Sequence, residues 1–228
     1  PLSPLLSNIM LNELDKELTS RGLPFVSYAD DSMIFCKSKR AAKRVKESVT
    51  RFIEGELHLK VNRDKTVVSY VQGVKYLGYS FYVMKGKCQL TVHPKAKSKM
   101  KAKLKELTSR SNGWGYAKRK QKLEEYIKGW VGYYHLANMK RFLIEMDEWL
   151  RRRLRMCIWK SWKRVKTRIA NLVKCGIDKY QAYMWGNSRL GYWRIAGSYI
   201  LCHAITNEKL SMAGYATLMG SYIEWHPK

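Results

Sequence analysis

Apolar residues recur at helical spacing through the first twenty positions, where Leu6, Ile9, Met10, Leu14 and Leu18 share one face. Ser3-Pro4 is a helix start, with the hydroxyl as cap and proline in the first turn, and Gly22 offers a left-handed stop, so a helix is predicted over residues 4–20. Two short β-prone runs follow, Phe25 to Ala29 and Ser32 to Cys36, and they flank Asp30-Asp31 as a hairpin or tight strand turn. A second helix is predicted over residues 39–55, with Ala42, Val45, Val49, Phe52 and Ile53 inward and Lys39, Arg40, Lys43, Arg44 and Lys46 outward. Strand composition returns at residues 57–61, 66–71 and 74–83, and Met84-Lys85-Gly86-Lys87 reads as a turn into a further strand at 88–92. From Pro94 onward the period is helical over 95–110, 117–136 and 140–173, with breaks at Ser111-Asn112-Gly113 and Ala137-Asn138. Beyond Gly176 the pattern is one of short helices up to about residue 222.

This succession predicts an α+β chain, a small antiparallel sheet with helices followed by a mostly helical half. The expected segments are 1–93, 94–175 and a helical tail, 176–228, which is a candidate DNA-binding segment. The 228 residues are 46% hydrophobic, enough for one ordinary core or two small ones. Charge changes the picture more than size does. The chain has 44 Lys and Arg against 18 Asp and Glu, a net charge of +26, and an isoelectric point near 10.0. A compact body with that imbalance repels itself unless a polyanion is present, so nucleic acid is the expected partner. Residues 85–174 hold about 26 Lys and Arg against about 6 Asp and Glu, which places most of the basic charge on the helical half. Trp114, Trp130, Tyr133, Tyr134, Trp149, Trp159 and Trp162 are interleaved with those charges. Such rings suit stacking on bases beside phosphate contacts, although packing in a helical core accounts for most of them. No apolar run is long enough to cross a membrane. The five cysteines are scattered without a CxxC pair, as expected of free buried thiols in a reducing, cytoplasmic compartment, and the dispersed histidines give no metal or triad pattern.

The candidate chemistry lies at Asp30 and Asp31. Adjacent carboxylates at a strand turn repel, and Asn-Gly or Asp-Gly would fit a two-residue hairpin better. A bound cation removes that objection, and nucleotidyl transfer uses oxygen ligands that hold two Mg²⁺ ions about 3.5–4 Å apart. A solvated turn is the plainer account of the pair taken alone. Its surroundings argue otherwise. Tyr28-Ala29-Asp30-Asp31 resembles the YxDD signature of reverse transcriptases, with the alanine of intron-encoded and other non-retroviral branches. Residues 1–9, beginning Pro1-Leu2-Ser3-Pro4, resemble the preceding block of that family, and Asn62-Arg63-Asp64-Lys65-Thr66 and Tyr76-Leu77-Gly78-Tyr79 resemble the two that follow. Downstream, Val92-His93-Pro94-Lys95, Gly129-Trp130-Val131-Gly132-Tyr133-Tyr134 and the run from Leu150 to Lys163 are similar to the maturase (X) domain of group II intron proteins.

The resemblance implies a partial reverse-transcriptase palm, then a helical thumb or maturase domain, and an RNA-directed DNA polymerase that also assists intron splicing. Asp30 and Asp31 fall on catalytic, Mg²⁺-binding carboxylates of the family. Tyr28, Pro4, Lys65, Leu77 and Gly78 fall on positions near nucleotide or primer, and Leu77-Gly78 on a strand supporting the primer end. Arg151, Arg152, Arg153, Arg155, Lys160 and Lys163 are expected to meet RNA, a solvated helix face being the plainer account of the run. The implied partners are group II intron RNA, a template–primer duplex, a DNA target and an upstream fingers and palm segment; a membrane is not among them. The family's first catalytic aspartate precedes the Pro-Leu-Ser-Pro block and is absent from this chain, so residues 1–228 alone are expected to lack polymerase activity. The alternative is a non-enzymatic RNA-binding maturase module that stabilises folded intron RNA. A generic basic DNA-binding protein would explain the charge but not the ordered blocks.

Overall fold

A computed structural model of the chain describes residues 2–226, without the side chains of Ser3 and Pro4. The chain divides into two compact units, one running to Gln89 and the other from Leu90 on.

The first unit opens with α1 (Leu2–Ser20), two residues ahead of the predicted start, which Pro4 permits because first-turn N–H groups need no intrahelical acceptor. Strands β1 (Phe25–Tyr28) and β2 (Asp31–Ile34) form an antiparallel hairpin in which Phe25 faces Ile34 and Tyr28 faces Asp31. The hairpin is followed by α2 (Lys39–Gly55), whose N-cap Ser38 accepts a hydrogen bond from the Ala41 N–H. Leu14 and Leu18 of α1 and Val49 of α2 form the buried centre of this unit, and Phe25, Ile34, Val45, Phe52 and Ile53 pack around it. Strand alternation therefore turns Phe25 and Ile34 onto the helices and leaves Val26 and Tyr28 on the outer face.

Two expected strands do not form. Residues 57–61 and 66–70 join no ladder, and Val71–Gly73 is a 3-10 turn. The segment between them instead closes on itself: Asn62 Oδ1 accepts from the Lys65 N–H, and the Asn62 carbonyl accepts from both the N–H and the hydroxyl of Thr66. An Asx-type turn of this kind competes with sheet pairing for the backbone. The predicted strand 74–83 is likewise two strands, β3 (Lys75–Tyr76) and β4 (Tyr79–Met84), paired so that Tyr76 faces Tyr79. Leu77 and Gly78, expected on a strand, are the turn between them, with φ of 48° and 82°. Both positions of a type I′ turn need positive φ, which Gly supplies freely and Leu at a cost of about 1 kcal/mol. The Met84–Lys87 turn repeats the arrangement at Lys85-Gly86 and leads into β5 (Lys87–Val92), giving a three-stranded sheet in the order β3-β4-β5.

The second unit is helical. It contains α3 (Pro94–Leu107), α4 (Tyr116–Tyr134), α5 (Lys140–Ser161) and α6 (Val165–Lys174), then the shorter α7 (Lys179–Gly186), α8 (Tyr192–Ala196), α9 (Tyr199–Ala204), α10 (Asn207–Met212) and α11 (Leu218–Glu224). Leu123, Ile127 and Val131 of α4 and Leu143, Met146, Leu150 and Leu154 of α5 recur at three- and four-residue spacing and are buried, as are Met100, Leu104 and Leu107 of α3. The single helix expected over 140–173 is broken after Ser161, where Trp162 leaves helical geometry and buries its ring beside Trp159, 5.8 Å between centroids. Trp159 and Trp162 are core; Trp114, Trp130, Tyr134 and Trp149 are half-buried, and Tyr133 is exposed. All five thiols are free, but only Cys157 is buried, and Cys88 and Cys202 are exposed. Among the described residues no helix is long and apolar enough to cross a membrane.

The tail belongs to this second unit and is packed on α5. Asp147 caps α11, its two carboxylate oxygens accepting from the Leu218 N–H at 2.8 Å and the Met219 N–H at 2.9 Å. Burial raises the Asp147 pKa above the ordinary carboxylate value, outweighing the lowering effect of those two bonds and of Arg151. A group whose pKa is raised by folding binds its proton more tightly in the folded state. The wild type should therefore gain stability relative to Asp147→Asn as pH falls from neutral towards the ordinary carboxylate value, and level off below it. Urea unfolding of both proteins across that range checks the sign.

Candidate functional site

The β1–β2 hairpin presents the two carboxylates differently. Its turn consists of Ala29 and Asp30, while Asp31 is the first residue of β2 and lies across the ladder from Tyr28. Ala29 has φ of 50°, a left-handed conformation that costs an L residue roughly 1–2 kcal/mol. The strain sits at the tip, and the base of the hairpin holds it there: Phe25 and Ile34 pack on the α1–α2 core, and the Phe35 N–H donates to the Pro24 carbonyl at 2.8 Å. On the helix-facing side the Ser27 hydroxyl donates to Asp15 Oδ2 of α1 at 3.2 Å. On the outer side Tyr28 is 65% exposed, and Asp30 and Asp31 are exposed beside it.

The Leu77-Gly78 turn is tied to the same hairpin. The hydroxyl of Tyr76, the residue before the turn, lies 3.5 Å from the Asp31 carbonyl. Burial raises the Tyr76 pKa, and the Asp31 carboxylate raises it further. Lys65 is exposed on the self-bonded Asn62–Thr66 turn, and the ammonium of Lys46 on α2 steadies that turn by donating to the Thr66 carbonyl. Pro4 lies in α1, and its side chain is outside the described residues. The oxygen-only donors of Asp30 and Asp31 suit a hard divalent cation. Among the described residues no group of three His, Cys, Asp or Glu could by itself hold a metal ion. Among the described residues the turn thus presents two adjacent carboxylates, Asp30 and Asp31, without a third ligand-type group beside them.

The basic run of α5 is placed otherwise than a solvated or phosphate-binding face would be. Arg151 and Arg155 are only 4% and 7% exposed. Arg151 donates to the Ser211 hydroxyl and the Tyr215 carbonyl at 3.2 and 3.3 Å, and Arg155 to the Ile205 carbonyl and the Asn207 side-chain oxygen, each at 2.7 Å. Arg153 donates to the Lys105 and Thr108 carbonyls at the end of α3, at 3.0 and 2.9 Å. Arg152 makes two bonds to the Trp193 carbonyl, at 3.2 and 2.9 Å, with its guanidinium 4.1 Å from the centre of the Trp193 ring. Four consecutive-face cations are thereby directed into carbonyls of α3 and the tail, and burial lowers the pKa of Arg151, Arg153 and Arg155 below the usual guanidinium value. Lys160 lies against Tyr192, 4.9 Å from the ring centre, and Lys163 is exposed on the link after α5.

Two groups escaped sequence reasoning. Asp147 caps a helix seventy residues away, and only its position four residues before Arg151 hinted at a structural role. Trp193, in the tail read only as a candidate DNA-binding segment, is the surface on which Arg152 rests. Gly197 makes that approach possible, since a Cβ there would lie 2.5 Å from the Arg152 guanidinium.

Comparison with known proteins places these features in two matched segments. Residues 1–81 match the family model described as reverse transcriptase (RNA-dependent DNA polymerase). Residues 97–176 match the one described as group II intron, maturase-specific domain. Between them they take in more than two thirds of the chain, and the tail beyond residue 176 lies outside both. The chain is also similar to protein YkfC of Escherichia coli (strain K12), 30% identical over an alignment that takes in 34% of this chain and 30% of that protein. It therefore spans less than a third of the length of that curated relative.

Replacing Arg155 by Ala removes two short charge-assisted bonds and leaves the buried Ile205 carbonyl without this donor. The expected loss is about 2–3 kcal/mol of stability in the second unit, read as a shift in the denaturant midpoint.

Proposed function

We propose, for a chain that belongs to the group II intron reverse transcriptase and maturase family, that it supplies two metal-binding carboxylates of an RNA-directed DNA polymerase site together with an RNA-binding helical domain. The observation that carries the polymerase part is the exposed Asp30-Asp31 pair at the tip of a hairpin anchored on its own small core. Rigid placement of hard oxygen ligands at a solvent-facing turn is what binding of Mg²⁺ and a polyphosphate requires. Two Mg²⁺ ions bound there would activate a primer 3′-hydroxyl and neutralise the incoming triphosphate. Asp30, free of strand pairing at the turn, and Asp31, opposite Tyr28 in the ladder, would hold the cations. Tyr28 offers an exposed ring to a primer terminus, and the Leu77-Gly78 turn, tethered through Tyr76, offers backbone to the primer strand. Lys65 stands on its turn as a candidate phosphate contact.

A third carboxylate, expected from an upstream fingers and palm segment, completes this set. Residues 1–228 with Mg²⁺ should accordingly give no measurable primer extension, and steady extension by the purified chain would overturn the incomplete-site reading. In an assembly that includes fingers and upstream palm, Asp30→Ala should abolish cDNA synthesis and leave intron splicing intact. If the substitution changes neither, the chain acts as a non-enzymatic maturase module that stabilises folded intron RNA.

For RNA binding the reading moves from the α5 arginines to the exposed lysines. Lys95, Lys99, Lys101, Lys103 and Lys105 on α3 and Lys163, Arg164 and Lys166 around the α5–α6 link are exposed, whereas Arg151 and Arg155 are buried. Intron RNA, a template–primer duplex and a DNA target all present the phosphates such a surface attracts. Affinity for intron RNA should fall steeply with salt, and each lysine removed from α3 should reduce the slope of log K against log salt by up to about 0.9, the value expected for one duplex phosphate contact.

A further inference from the structure

The surface of the second unit carries a groove of about 410 Å³ between α3, α5 and α8. Lys101 and Lys105 of α3, Trp149 and Arg153 of α5, and Trp193 of α8 line it, and no acidic side chain is among the residues that do. The cations and rings alternate. The Lys101 ammonium lies 5.5 Å and the Arg153 guanidinium 5.2 Å from the centre of the Trp149 ring, and Arg152 lies over Trp193. Trp149 is half-buried, and Trp193 is 40% exposed. Arg153 is fixed by its bonds to the end of α3, so its charge is held in place, whereas the exposed Lys101 and Lys105 make no ion pair among the described residues.

We propose that this groove binds an unpaired segment of RNA, with a base stacked on Trp149 or Trp193 and the adjoining phosphates held by Lys101 and Lys105. The inference rests on the RNA-binding reading above and narrows it to a site and a strand state. A continuous duplex keeps its base faces covered by neighbouring bases, so it has phosphates for the lysines but no face for the tryptophans. A single strand has both, and aromatic rings interleaved with cations in a basic groove are the arrangement that holds single strands with little regard to sequence. The groove also gives the tail a role. Trp193 is delivered by α8, outside both matched segments, and is seated there by the two hydrogen bonds that Arg152 donates to its carbonyl and by the close approach at Gly197. Arg152, the member of the basic run that clasps α8, acts as a positioning residue for the tryptophan.

The test measures binding of the 228-residue chain to three fluorescein-labelled probes: a short oligouridylate, the abasic ribose-phosphate chain of the same length, and an RNA duplex. Trp193→Ala and Trp149→Ala should each weaken oligouridylate binding about tenfold while leaving the abasic chain, the duplex and the salt slope unchanged. Trp193→Tyr should restore most of the loss, which separates stacking from a folding defect, since Tyr keeps an aromatic face. The double substitution Lys101→Ala with Lys105→Ala should weaken all three probes and reduce the single-strand salt slope by about 1.4. If both tryptophan variants bind oligouridylate as the wild type does, or lose the abasic chain equally, the stacking groove is wrong while RNA binding stands. If the wild type binds none of the probes, the RNA-binding reading falls and takes the groove with it.

Discussion

The helical unit depends on the guanidinium groups of α5. Each meets a backbone carbonyl of a neighbouring element: Arg153 and Arg155 those at the C-terminal ends of α3 and α9, Arg152 the Trp193 carbonyl in the first turn of α8, and Arg151 the Tyr215 carbonyl before α11. Carbonyls at helix ends lack intrahelical donors and carry partial negative charge, so a guanidinium satisfies both the hydrogen-bonding and the electrostatic requirement at once. The planar five-donor fork allows one side chain to serve two acceptors on different segments, which a lysine could not do as well. Desolvating these charges works against the fold, as the lowered pKa values of three of them indicate, and the several bonds each one makes are what offset it. The result is a tail of short helices, each too short to be stable alone, held by one long helix.

The first unit solves a different problem with fewer means. Its buried centre is three residues, and its hairpin has four residues in each strand. What such a small body can do is keep one strained, doubly acidic turn in a fixed place, because Phe25 and Ile34 cannot slip by one residue without exposing themselves and burying Val26 and Met33. The alternation that anchors the hairpin is therefore also what aims Tyr28 and Asp31 outward.

On the proposed reading both units would meet phosphate, one through oxygen ligands for cations and the other through cations themselves. The net charge of +26 conceals how unequally the basic groups contribute. A lysine on α3 remains solvated and available, while Arg151 and Arg155 on α5 are internal scaffolding. Electrostatic potential at a distance counts both, but contact with a polyanion counts only the first.

Much of this was legible in the sequence. Helical periodicity located α1 to α4 and the start of α5 to within a few residues, the Lys85-Gly86 turn announced its hairpin, and Tyr28-Ala29-Asp30-Asp31 marked the acidic turn, because each depends on residues close together in the chain. The misreadings share one cause. Residues 57–61 and 66–70 have strand composition but no neighbouring strand to pair with, and whether a ladder forms depends on a partner that composition does not reveal. The arginine run looked like a solvated or RNA-facing surface because α5 is densely charged, and no local pattern records that the carbonyls meeting those donors lie 41 to 64 residues away, upstream for Arg153 and downstream for the others. The sequence by itself determined the class of chemistry, acidic turn and basic helical half. Only the tertiary structure decided which of the cations remain free to meet a ligand, since a buried guanidinium and an exposed ammonium are both simply positive until packing assigns their donors.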